Sequence, residues 1–299
     1  MNSKKKTVAV AMATALGVSG MMSPVAVYAQ EKLVNGQKRI EESQIKQNAS
    51  QQPITIDNGG TPISGDININ ETNFPDKEFR DWIKTHIIGA DNDVLTPDEI
   101  SNITRIDVSN ESEIKNLKGI EHFTALKGLY CHNTGITTLD VSKNVLLTEL
   151  FCGGTGIITL DVSNNKKLIY LNCDDTGITT LDVSNNEQLI YLSCYSTGIT
   201  TLDVRKNDQL TELYCSHTGI TTLDVSNNKQ LTLLYCYNTG ITTLDVSNNK
   251  QLTELICYNT GITTLDISKN KQLTELDCNN TSITTLNVRN NEQLTKLIC

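Results

Sequence analysis

LTELYCSHTGITTLDVSNNKQ, residues 210–230, is followed at once by LTLLYCYNTGITTLDVSNNK and, one residue on, by LTELICYNTGITTLDISKNK. The cysteines keep the 21-residue period without a slip, at Cys131, Cys152, Cys173, Cys194, Cys215, Cys236, Cys257, Cys278 and Cys299. Self-similarity at so short a period specifies a solenoid, in which each unit buries its apolar edge only against its neighbours.

A shorter repeat is nested inside the unit. Leu210, Leu213, Cys215 and Thr218 in the first half match Ile220, Leu223, Val225 and Asn228 in the second, both on the spacing LxxLxLxxN. In each half, residues of alternate character face opposite ways, which is the period of a strand. Two short parallel strands per coil are therefore expected, stacked about 4.8 Å apart into two sheets with Leu, Ile, Val and Cys between them. Gly219 and its equivalents Gly135, Gly156, Gly177, Gly198, Gly240 and Gly261 are expected to adopt a turn conformation costly for other residues, although Ser282 stands in the same column. The Asn column (Asn144 through Asn291) falls where the chain turns over the core, and an inward amide there can both donate and accept. Thr134, Thr155 and Thr176 hold the matching place in the other half, where a hydroxyl does part of that work. Both columns read as structural.

On these columns the chain resembles bacterial leucine-rich repeats, in particular the nested 21-residue kind called IRREKO. Residues 117–129, LKGIEHFTALKGL, resemble the opening repeats of internalins. The resemblance covers residues 103–299. It implies a mainly β solenoid with a helical N-terminal cap, and secretion or surface display by a Gram-positive bacterium. For function it implies adhesion or protein recognition, by analogy only.

The chain of 299 residues carries a net charge of −9 and a pI near 5.0, a balance that argues against nucleic acid and anionic membrane surfaces as partners. Residues 1–29 have the three parts of a secretory signal peptide: Lys4, Lys5 and Lys6, an apolar run, and Val27-Tyr28-Ala29 before the cut. That run is short for the ~20 residues a bilayer span needs, so membrane insertion is not expected. Residues 30–70 are rich in polar residues and read as a disordered tether. Residues 71–125 read as a helical cap and first irregular repeats. There Phe79, Trp82, Ile83 and Ile87 recur at helical spacing and Pro75 suits a first turn. Residues 126–299 form the solenoid, open at its C-terminal end. Because the sequence stops mid-coil at Cys299, a longer protein or a truncated reading frame is expected.

The spacing of reactive groups offers little chemistry. In-register cysteines would hold their Cβ atoms about 4.8 Å apart with parallel vectors, whereas a disulfide wants about 3.8 Å and convergence. Free, buried, reduced thiols are expected, with Cys299 the exception on the open edge. Asp91, Asp93 and Glu99 resemble a calcium loop, but its glycine is missing and the acidic positions fall out of register, so a capping turn is the preferred reading. No phosphate loop, zinc motif, nucleophile elbow or cofactor signature is present, and the reading is of a protein that is not an enzyme. The column Asp140, Asp161, Asp182, Asp203, Asp224, Asp245 and Asp266 would stack like charges, which is expected to raise some of their pKa values while neighbouring hydroxyls share the charge.

Comparing coils separates two faces. One repeats Thr, Asp and Ser almost unchanged. The other varies, and every tyrosine except Tyr28 lies on it. The candidate partner-binding group is Tyr191, Tyr195, Tyr214, Leu233, Tyr235, Tyr237, Ile256 and Tyr258, expected to project outward and to be replaceable without harm to the fold. A protein on a host or neighbouring cell is the first partner. A glycan, lying against rows of rings, and a spacer role for a missing C-terminal domain are the alternatives.

Overall fold

The computed structural model describes residues 65–89 and 92–299, so the signal peptide and most of the tether lie outside the described residues. A single parallel sheet organises the solenoid. Its ten strands follow chain order: β3 (Arg105–Asp107), β4 (Gly128–Tyr130), β5 (Glu149–Phe151), β6 (Tyr170–Asn172), β7 (Tyr191–Ser193), β8 (Glu212–Tyr214), β9 (Leu233–Tyr235), β10 (Glu254–Ile256), β11 (Glu275–Asp277) and β12 (Lys296–Ile298). The register pairs like with like, Leu213 with Leu192 and Leu234, so the middle residue of every strand points into the core. Leu129 through Leu276, the eight cysteines from Cys131 to Cys278, and the Ile and Val columns of the second half-coil form one continuous buried cluster.

The second expected sheet is absent. The stretch Thr-Leu-Asp-Val-Ser carries no strand in any described coil, and other bonds replace the ladder. Each Asp turns its Oδ1 back onto the backbone N–H two residues on, as Asp224 does to Ser226 at 3.0 Å, which takes a donor that a neighbouring coil would otherwise use. Each Asn then bridges the coils. Asn228 is fully buried and its Nδ2 donates to Val204 O at 3.0 Å and Asn207 O at 2.7 Å. The amide acts only as a donor, for the buried Oδ1 atoms of Asn144 through Asn291 have no hydrogen-bond partner. In the first half-coil the hydroxyl works locally, Thr218 Oγ1 donating to Cys215 O at 2.7 Å.

The glycine column has a different cause from the one expected. None of Gly135, Gly156, Gly177, Gly198, Gly219, Gly240 and Gly261 has positive φ. The left-handed residue lies two positions earlier: Asn133, Gly154, Asp175, Ser196, His217, Asn238, Asn259 and Asn280, with φ between 49° and 64°. These are mostly the short polar types, with glycine, that tolerate that region. Gly219 is instead a close approach. Its N–H donates to Ile199 O at 2.8 Å, and a Cβ there would stand 3.1 Å from Thr200 Cγ2. Ser282 makes the equivalent bond to Ile262 O at 2.9 Å, so the approach admits a small side chain.

The cap closes the N-terminal end of the core. A two-stranded antiparallel pair, β1 (Ile67–Asn68) with β2 (Val94–Leu95), takes in residues assigned above to the tether, and Ile69 beside it is buried. Helix α1 (Lys77–Ile83) begins at Asp76, whose side chain accepts from Phe79 N, so Pro75 precedes the cap rather than forming the first turn. A π-helical stretch, Lys84–Ile88, continues it. Phe74, Phe79 and Ile83 are fully buried, with Trp82 and Ile87 packed against the same cluster as the coils. Asp76 also accepts from Lys115 N and Asn116 N, tying the helix start to the first irregular repeat. Helix α2 (Pro97–Asn102) starts from a capping box made by Thr96 and Glu99.

Candidate binding face

Three residues per coil stand on the side of the sheet away from the core, at the first, third and fifth positions counted from the start of each strand. In successive coils they run Tyr170, Asn172, Asp174; Tyr191, Ser193, Tyr195; Glu212, Tyr214, Ser216; Leu233, Tyr235, Tyr237; Glu254, Ile256, Tyr258. The candidate residues are thus brought together on one face, as their alternation with Leu and Cys requires. None of them belongs to the core cluster.

Their exposure differs from the expectation. Tyr191, Tyr214, Tyr235, Tyr237, Ile256 and Tyr258 are buried, Tyr235 at 3% exposure, and only Tyr195 and Leu233 are half-exposed. Parallel in-register strands bring equivalent side chains close enough for rings to pack on one another along the solenoid. Tyr214 meets Tyr191 at 5.4 Å and Tyr235 at 5.0 Å between ring centroids. In the next column Tyr237 stacks on Tyr258 at 4.4 Å, and His217 fills the gap between Tyr195 and Tyr237. The hydroxyls are held by carboxylates: Tyr235 Oη donates to Glu254 at 2.7 Å and Tyr214 Oη to Glu212 at 3.0 Å. Burial drives the hydroxyls of Tyr191, Tyr195, Tyr214, Tyr237 and Tyr258 above their ordinary pKa, Tyr258 to about 12. The aromatics form a second packed layer, and Tyr235 is part of the fold.

One group breaks the aromatic columns. Asn172 and Ser193 occupy third positions between Tyr130 and Phe151 on one side and Tyr214 and Tyr235 on the other, and Asp174 occupies a fifth. The Asp174 carboxylate accepts from Tyr195 N at 2.8 Å, Asn172 Nδ2 at 2.7 Å and the Ser193 hydroxyl. Burial pushes this carboxyl up to about 7 against those three hydrogen bonds, and Asp175 adds to the rise. Asp174 is not among the candidate residues read from the sequence. Its signal was an acidic residue where the next coil has Tyr195.

The opposite side behaves otherwise. Asp140, Asp161, Asp182, Asp224, Asp245 and Asp266 lie below the usual carboxylate range, because the backbone and hydroxyl of the serine two residues on bond the charged form. Asp203 is held lower, at about 2, by the side chain and backbone N–H of Arg205. Repulsion along the column is therefore outweighed by local bonds, contrary to the expected rise.

The two described calcium-loop residues each have another partner. Asp91 lies outside the described residues, Asp93 pairs with Lys84, and Glu99 accepts from Thr96 N and Oγ1 at 2.8 Å. Among the described residues no group of three or more His, Cys, Asp and Glu side chains is placed to hold a metal ion. All nine cysteines are free. Eight are buried, Cys299 is exposed, and burial raises the pKa of the interior thiols, Cys152 to about 12.

No family model matches the chain and no curated relative was found. Solved structures do match. InlF from Listeria monocytogenes is similar at 24% identity over 80% of this chain and 79% of its own, with a TM-score of 0.65, a likeness of fold. The Leptospira interrogans leucine-rich-repeat protein LIC12759 matches 61% of this chain and 51% of its own, at 25% identity and a TM-score of 0.57. The functional domain of InlJ from Listeria monocytogenes matches 79% of this chain at 40% identity, with a TM-score of 0.75. This chain covers 53% of that domain, about half its length. The InlJ domain includes a cysteine ladder. The same device runs through this core from Cys131 to Cys278, one buried thiol per coil, and it marks the chain as an internalin-like leucine-rich-repeat solenoid.

Proposed function

We propose that this is an exported, non-enzymatic binding module that recognises a protein at a host or neighbouring cell surface through the tyrosine-bearing face of its sheet. One observation carries the reading: of two faces built on the same repeat, one is uniform while the other changes from coil to coil and gathers all the mature tyrosines. Likeness to internalins supports it by analogy. Because most of the rings are packed, contact falls first on the half-exposed Leu233 and Tyr195 and on the edges of the aromatic layer.

Glycan stacking on the tyrosines is less well supported. Tyr214 is tilted 42° to Tyr191 and 66° to Tyr235, and Tyr237 gives a ring face to Tyr258, so the rings do not make a flat platform. A photo-cross-linking residue at position 233, exposed to intact host or bacterial cells, tests the proposal. Cross-links to one surface protein are expected, reduced about tenfold by Tyr195→Ser and unchanged by Thr222→Ala. Loss with Thr222→Ala and Thr243→Ala, and none with Tyr195→Ser, would place recognition on the other face.

A further inference from the structure

The columns of the face are interrupted where Asp174 lies, and the interruption has the chemistry of a site. Asp174 is half-buried, and its two oxygens already accept from Tyr195 N, Asn172 Nδ2 and Ser193 Oγ. Two carboxylate oxygens offer about four lone-pair positions, so one is left over. Beside them lies Tyr191, 2% exposed, whose hydroxyl makes no hydrogen bond. That oxygen lies near Asn172, Ser193 and Asp174, each of which bears on its ionisation. A buried, unpartnered hydroxyl is costly, and here it is aimed into a nest that already holds a carboxylate. Tyr170 packs against the Tyr191 ring at 6.5 Å between centroids.

We propose, resting on the reading of this face as a protein-binding surface, that the Asn172–Asp174–Tyr191 nest receives a lysine side chain of the partner. An ammonium is a compact charge with three donors. It can take the remaining Asp174 lone pair and the Tyr191 oxygen while meeting ring faces that attract cations. A guanidinium needs two parallel acceptors on one carboxylate, and those oxygens are already occupied by three bonds. Charge complementarity points the same way: the first-position column carries Glu149, Glu212, Glu254 and Glu275, and its two basic residues, Arg105 and Lys296, stand at the two ends of the sheet. A basic segment lying along the sheet would meet carboxylates at several coils and anchor at Asp174.

The titratable neighbours of Asp174 are Asp175 in the chain, Tyr191 and Tyr195 in the next coil, and the thiols of Cys152, Cys173 and Cys194 behind the sheet. Burial raises Asp174 to about 7, so its charge changes between pH 6 and pH 8.

The experiment is a titration of the full chain, with its tyrosine rings isotope-labelled, by Nα-acetyl-lysine N-methylamide. The neutral norleucine and the arginine counterparts serve as comparators. Saturable shifts of the Tyr191 and Tyr195 rings are expected with the lysine probe, tighter at pH 8 than at pH 6. Binding should weaken about tenfold in Asp174→Asn and about threefold in Tyr191→Phe, both of which preserve shape. Equal binding of norleucine, or indifference to Asp174→Asn, overturns the proposal. The two readings fail separately. Partner cross-linking that needs Tyr195 but not Asp174 keeps the binding face and removes the lysine, whereas lysine binding at the nest with cross-linking mapped to the Thr side keeps the nest and removes the face.

Discussion

The two halves of each coil are written on the same spacing and fold differently. Residues 210–218 contain strand β8, which pairs on both sides; residues 220–228 form no ladder at all. Their inward residues are equivalent, Leu213 and Cys215 against Leu223 and Val225, and all four are buried. The outward residues differ. Glu212 and Tyr214 reach along the sheet and leave their backbone free to pair, while Asp224 folds back onto Ser226 N and turns the chain early. Inward residues thus set the coil, and outward ones decide which side becomes a sheet.

The largest effect expected from this difference is on truncation. Tyr235→Ala removes a side chain buried at 3% exposure with a packed ring partner and a hydrogen-bonded hydroxyl, and should cost about 3 kcal/mol in urea unfolding. Thr222→Ala on the exposed side should fall within about 0.5 kcal/mol of the parent. Equal, small effects would mean that the aromatic layer does not belong to the fold. For this reason Tyr235→Ala is a poor test of binding, and Tyr195 and Leu233 serve better.

The turns give the next contrast. Asn228→Ala removes the two coil-to-coil bonds to Val204 O and Asn207 O, which keep only their local donors Asn207 N and Leu210 N, for a loss of about 2–3 kcal/mol. Thr218→Ala removes one local bond, to Cys215 O, for about 1 kcal/mol. A reversed order in chemical denaturation would shift the main coil-to-coil tie from the amide to the hydroxyl.

A smaller pair separates close approach from backbone strain. Gly219→Ala should cost about 1 kcal/mol, since the new Cβ presses on Thr200 and Ile199 O. Ser196→Gly, at φ 55°, should be neutral or gain about 0.5 kcal/mol by relieving a left-handed residue. Destabilisation by Ser196→Gly together with tolerance of Gly219→Ala would restore the turn explanation for the glycines.

The solenoid was legible because its period is carried by the residues that fill the core: Leu213, Cys215, Ile220, Leu223, Val225 and Asn228 each recur and are each buried. Even the cap could be read, from Phe79, Trp82 and Ile83. What could not be read depends on geometry between coils. Alternation around Asp224 looks like a strand until the Asx bond to Ser226 is seen, and Gly219 looks like a turn until the contact with Ile199 O is seen. Outward placement of Tyr235 was correct, but outward is not exposed when equivalent rings in adjacent coils pack together. Asp174 was hidden for the opposite reason. It stands in a column that changes from coil to coil, His132, Gly153, Asp174, Tyr195, Ser216, Tyr237, Tyr258 and Asn279, and a period-based reading gives weight to what repeats.

The finest contrast is between carboxylates on the two sides, and it concerns pH. Asp224 and its column are held below their ordinary pKa by hydrogen bonds to the charged form, so their contribution is present above the unfolded value, about 4, and is lost as pH falls through the lower folded values, with Asp203 last at about 2. Asp174 is raised, to about 7, so the sign reverses. The folded state holds that proton more tightly than the unfolded chain does; the contribution is complete below about pH 4 and disappears as pH rises through about 7. Thermal midpoints of the parent, Asp174→Asn and Asp224→Asn, measured from pH 2 to pH 9, read the two limbs separately. Asp174→Asn should flatten the decline between pH 4 and pH 7 and raise the midpoint at pH 8, because an amide keeps the shape of the nest without a buried charge. Asp224→Asn should leave that region unchanged and soften only the acid limb. If Asp174→Asn instead lowers the midpoint at pH 8, the ionised carboxylate is stabilising where it stands, and the bonds from Tyr195, Asn172 and Ser193 outweigh its burial.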